Sequence, residues 1–136
     1  MYKIYSQIDT SKLLHLVNRM EEIHDRTDIS EGHQFLQLAT LRMGAGKTFR
    51  PHQHIWKPAP TEQVIAQESW VVIKGRVKVF FYDTDGVLLD TQILEPGDCS
   101  MTFEGGHTYE ILEEDTVVYE YKTGPYQGQA LDKVFI

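Results

Sequence analysis

Two histidines one residue apart carry the clearest chemical signal in the chain. His52 and His54 flank Gln53. In an extended strand alternate side chains share a face, so both imidazoles would point the same way, as chelation of a single metal ion requires. Two solvent-facing histidines on a strand would show the same spacing. Arg42, Arg50 and Lys122 are the cations nearest to hand for holding an anionic group, each within or at the end of a segment with strand character. Surface solvation is the ordinary reading of such residues. Cys99 is the single cysteine, so the chain has no intrachain disulfide. It follows the turn Pro96-Gly97-Asp98 with no activating base beside it, and reads as a small buried hydrophobe.

These residues need elements to hold them. Asp9, Thr10 and Ser11 offer capping oxygens ahead of Leu13, Leu14, Leu16, Val17, Met20 and Ile23. That spacing predicts an amphipathic helix over residues 10–24, with His15 and His24 as solvent or helix-packing side chains. From residue 34 onward the period changes to short β-branched and aromatic runs between turn signals. Strands are predicted at 35–43, 47–54, 64–74, 76–82, 87–94, 99–103, 108–112 and 116–121. Asp85-Gly86 is a strong hairpin signal between two of them. Residues 55–63 contain Trp56 and two prolines, Pro58 and Pro60, that cannot donate to a ladder, and so read as a loop. About eight strands in so short a chain favour an all-β closed barrel or double-sheet jelly roll, because closure removes exposed edges.

Length and charge bound what such a fold can do. The 136 residues leave room for one compact domain, divided here into an N-terminal helix and connection (1–34), a barrel (35–122) and a tail (123–136). The net charge of −7 disfavours phosphate backbones and anionic membranes, so neither nucleic acid nor membrane is expected as a partner. Residues 1–9 are interrupted by polar side chains and do not read as a targeting segment. The expectation is a soluble, cytoplasmic protein.

The segment Gly46-Lys-Thr-Phe-Arg-Pro-His52-Gln-His54, followed by Glu68-Ser-Trp-Val-Val-Ile-Lys-Gly75, resembles the first signature of the cupin family, G-x5-H-x-H-x(3,4)-E-x6-G. Both glycine spacings match. Residues 55–67 exceed the usual gap and read as an insertion, within which Glu62 competes with Glu68 for the ligand role. Leu94-Glu-Pro-Gly97-Asp98 and then Glu104-Gly105-Gly106-His107 resemble the second signature more loosely. Phe103 stands where proline is usual, Ile111 where asparagine is usual, and one residue is missing before His107.

The resemblance implies a small cupin-type jelly-roll barrel with one divalent transition metal held by His52, His54, Glu68 and His107. Three imidazoles and a carboxylate suit Fe, Mn, Ni, Cu or Zn alike. Four protein ligands would leave a six-coordinate ion two positions for water or substrate. Trp70 shares a strand face with Glu68, and Tyr109 shares one with His107, so both are candidates for an aromatic wall of a substrate pocket, or for core. The functional expectation is a metal-dependent cupin binding a small oxygen-rich molecule, such as a sugar derivative or carboxylate, as an isomerase or epimerase. A metal-dependent dioxygenase and a non-catalytic sensing module are the alternatives, since the family's barrel hosts many chemistries. The apolar stripe Leu13, Leu16, Val17 and Met20 must be covered, on the barrel or by a second chain, and a homodimer is expected.

Overall fold

A computed structural model describes residues 1–24, 26–31, 34–40, 45, 48, 50–51, 65–123 and 134–136. Ten strands run through them: β1 (Tyr2–Tyr5), β2 (Leu13–Asn18), β3 (Thr27–Asp28), β4 (Ala39–Thr40), β5 (Glu68–Lys74), β6 (Val77–Tyr82), β7 (Leu88–Leu94), β8 (Cys99–Thr102), β9 (Gly106–Ile111) and β10 (Val117–Lys122). The protein is all-β and its strand pairs are antiparallel. One sheet has five strands in the order β1-β2-β8-β5-β10, a second has three in the order β7-β6-β9, and β3 and β4 pair alone. Among the described residues these sheets keep their edges, so the expected closed barrel is not seen.

Period-2 alternation explains the second sheet. Along β6 the residues Val77, Val79 and Phe81 are fully buried, while the intervening Lys78, Phe80 and Tyr82 are only half-buried. The buried set packs with Ile4, Val17, Val72 and Leu94, joining the two sheets through one apolar core. The predicted Asp85-Gly86 turn closes β6 onto β7, with Gly86 at positive φ and Gly86 N–H donating to the Asp83 carbonyl. Ser6 Oγ and Gln7 N–H donate to the buried Asp83 carboxylate, tying the turn after β1 to this hairpin.

The predicted helix over 10–24 is absent. Leu13–Asn18 is strand β2, between β1 and β8, and only Met20–Glu22 makes a single 3-10 turn. Both faces of β2 are covered. Val17 joins the inter-sheet core, whereas Leu16 belongs to a second cluster with Ile29, Met101 and Phe103, flanked by Leu13, Leu36 and Leu38. A strand buried on both faces is apolar at consecutive positions and satisfies a helical stripe by accident. The capping oxygens at Asp9 serve a turn instead, accepting from the Ser11 N–H and hydroxyl. Leu14, Leu16 and Val17 are fully buried by the chain itself, so these residues of the stripe offer nothing for a second copy to cover.

His15 is likewise a core residue and not a solvent or helix-packing one. Its Nε2–H donates to the Tyr82 carbonyl at 2.9 Å, and its Nδ1 meets the Thr102 hydroxyl at 3.2 Å. Both bonds suit the neutral ring. Beyond β2, Arg19 donates to Asp98 at 2.8 Å, to the Ile93 carbonyl at 2.6 Å and to Gln92 at 3.0 Å, while Met20 N–H donates to the other oxygen of Asp98. No helix among the described residues is long and apolar enough to cross a membrane.

Burial pushes the His15 imidazole down from 6.5 to about 4, with the bond to Tyr82 opposing. The unfolded chain therefore takes up a proton at this residue below about pH 6.5, where the folded chain still refuses it. Stability contributed by neutral His15 is complete above that value and drains as pH falls toward 4, by on the order of 3 kcal/mol in all. Urea midpoints measured from pH 7 to pH 4 should fall steeply in the wild type, and less steeply in His15→Gln.

Candidate metal centre

Glu68 opens β5 in the five-stranded sheet, and His107 is the second residue of β9 in the three-stranded sheet. Both stand at the same end of the molecule. Thr102, which lies opposite Glu68, is the last residue of β8, and the chain then crosses through Phe103, Glu104 and Gly105 into β9. Gly105 has φ of +81°. A Cβ there would run into the Tyr82 carbonyl, with the His15 ring close behind, so glycine is required by conformation and by space. This crossing sets the direction in which β9 delivers His107.

The two side chains meet. His107 Nε2 lies 3.1 Å from Glu68 Oε1, and both side chains are largely shielded from solvent. Burial raises the Glu68 carboxyl, but the bond from His107, that from the Trp70 indole N–H and the charge of Lys122 outweigh it. The group is held below the usual carboxylate range. Trp70 Nε1 donates to Glu68 Oε1 at 3.1 Å and to Glu120 Oε2 at 3.1 Å. Its ring stacks on Tyr109 with centroids 3.8 Å apart and planes 5° from parallel. Tyr109 Oη in turn lies 3.2 Å from the hydroxyl of Ser100, which has no exposure. Burial pushes the Tyr109 phenol well above its ordinary value, so it stays protonated.

A carboxylate oxygen and an imidazole nitrogen are a fitting start to a transition-metal site. With bonds of ~2.0–2.2 Å, two neighbouring donors on one ion stand about 3 Å apart, the separation these atoms already have. His107 Nδ1 is buried and finds no partner among the described residues. No group of three metal-ligating side chains occurs among the described residues. His52, His54, Arg42, Glu62 and Trp56 all lie outside them.

The structure thus brings together Glu68, His107, Trp70 and Tyr109, with Lys122 close enough to bias Glu68, and leaves Arg50 exposed. Glu120 and Ser100 were not among the residues the sequence singled out. Glu120 faces Trp70 across the β5–β10 pair, and its signal was the alternation that puts it on one face with Lys122. Cys99 is buried, and burial lifts its thiol to about 11, far from a nucleophile's range. No family model, no curated protein and no solved structure matches the chain.

An alanine at Gly105 meets both the backbone penalty of about 1–2 kcal/mol for a left-handed L-residue and the Tyr82 carbonyl. Gly105→Ala should therefore lower stability by about 2 kcal/mol or more, read as a fall in the urea midpoint.

Proposed function

We propose that the chain is a metal-dependent cupin, which binds one divalent transition ion through His52, His54, Glu68 and His107 and a small oxygen-rich molecule beside it. The observation that carries the reading is the Glu68–His107 contact. The resemblance pairs these two as ligands, and they meet across two sheets from 39 positions apart in the chain.

Strand pairing supports the same reading. β5 lies between β8 and β10, and β6 between β7 and β9. The pairs β6–β7 and β6–β9 therefore nest inside β5–β8 and β5–β10, the arrangement of an antiparallel ribbon rolled on itself as in a jelly roll. Gly75, which ends the first signature, also has positive φ, and a Cβ there would strike Thr116.

When bound, the ion supplies Lewis-acid chemistry toward an oxygen ligand. The chain's own groups prepare its place. Glu68 stays ionised because His107, Trp70 and Lys122 offset its burial. Tyr109 stays neutral, its hydroxyl held against Ser100 and its ring against Trp70. A sugar derivative or a carboxylate is the ligand class we assign, and isomerisation or epimerisation is the reaction.

Protein made without a histidine tag should carry about one divalent ion per chain by elemental analysis, lost in both His52→Ala and Glu68→Ala. Unchanged metal in the two variants would sink the site. A panel of sugar derivatives and oxo acids, run with Fe(II), Mn(II), Ni(II) and Zn(II), should give conversion without oxygen. Conversion only with oxygen would assign an oxygenase, and tight metal-dependent binding without conversion a sensor.

A further inference from the structure

Trp70 reads in the sequence as a wall for a ligand or as core, yet its polar atom is already committed. The indole N–H points at two carboxylates, Glu68 Oε1 and Glu120 Oε2, each at 3.1 Å. One ring face is covered by Tyr109. Tyr109 is itself fastened through its hydroxyl to the buried Ser100. The sequence of contacts Ser100–Tyr109–Trp70–Glu68 therefore runs from β8 through β9 to β5, with Glu120 of β10 as a second acceptor.

A carboxylate on a flexible side chain loses freedom when it binds, and a donor fixed by packing removes that loss in advance. Glu68 Oε1 has one such neighbour that an ion would not claim, the Trp70 N–H; the other, His107 Nε2, would itself be a ligand. The ring that carries the first is held flat against Tyr109, so the direction of the N–H follows from the stack and does not depend on solvent. Trp70 and Glu68 lie two residues apart on β5, on one face, which keeps the pair in register with the strand.

We propose that Trp70 is a positioning residue, which aims the Glu68 carboxylate at the metal place by an indole N–H that the Tyr109 stack holds in line. This rests on the metal-site reading given above. Outer contacts of this kind commonly change metal affinity by about 10–100-fold. Trp70→Phe keeps a ring for the stack and removes the donor, with part of the stacked area lost as well, which the urea midpoints register.

Zinc affinity is measured by competition with a chelator in wild type and Trp70→Phe, with urea midpoints alongside. Independently, the Trp70 indole N–H resonance, assigned as the one missing from the variant, is followed in wild-type protein as zinc is added. Affinity should fall about tenfold or more in Trp70→Phe, and the wild-type resonance should shift to saturation at one zinc per chain. Should the variant not fold, a zinc series on wild type against Glu68→Gln assigns the resonance and decides alone. Wild-type zinc affinity in a folded Trp70→Phe, or a resonance unmoved by saturating zinc, overturns the positioning role and leaves the metal site standing. A wild-type chain that takes up neither zinc nor Mn(II), Fe(II), Ni(II) or Cu(II) overturns the site reading and the role together.

Discussion

The apolar contact between the two sheets is the constraint on which the remaining structure rests. Val72 of one sheet and Val77, Val79, Phe81 and Leu94 of the other pack into a single cluster with no exposure. Its thickness fixes how far apart the strand ends stand, and Glu68 and His107 are attached to those ends, one on each sheet. A truncation such as Phe81→Ala removes a side chain of the kind whose loss costs about 3–5 kcal/mol. Since Phe81 lies opposite His107 in the β6–β9 register, such a change reaches the site as well as the core.

His15 adds a polar tie at the same junction. Its two bonds go to Thr102, the register partner of Glu68, and to Tyr82, the register partner of Gly106. A hydrophobic side chain in its place would fill the space and leave the Tyr82 carbonyl without that donor, which costs about 1–3 kcal/mol when the group is buried. The choice of a histidine inside a mostly apolar strand thus follows from what its neighbours lack.

Strands whose one face is wet were legible in the chain. β6 alternates in burial, an Asp-Gly turn joins it to β7, and the expected ranges 76–82 and 87–94 match Val77–Tyr82 and Leu88–Leu94 to within a residue. β2 was illegible for the opposite reason: both of its faces are dry, so its composition carries no period of two, and its turn residues imitate a helix cap. β1 and β3 are too short to show a pattern. At the site, Glu68 and His107 were paired only by the resemblance of the segments around them to two family signatures, and the contact between them depends on the sheets coming together. The stack of Trp70 on Tyr109 and the shared bond to Glu120 depend on which strands become neighbours, and nothing local in the chain announces that β10 lies beside β5.

The Arg19 contacts have a bearing on how the molecules behave together. Among the described residues β7 is an outer strand of its sheet, and an outer strand offers carbonyls on which a strand of another molecule can assemble. Arg19 occupies the Ile93 carbonyl and the neighbouring Gln92 side chain, and its charge is anchored by Asp98, so the place is taken by a group that cannot be extended into a ladder. Ile93 itself is exposed, and an uncapped edge beside it would be a template for intermolecular sheet growth. The guanidinium thus leaves that carbonyl closed to an incoming strand, a consequence felt between molecules and not within one.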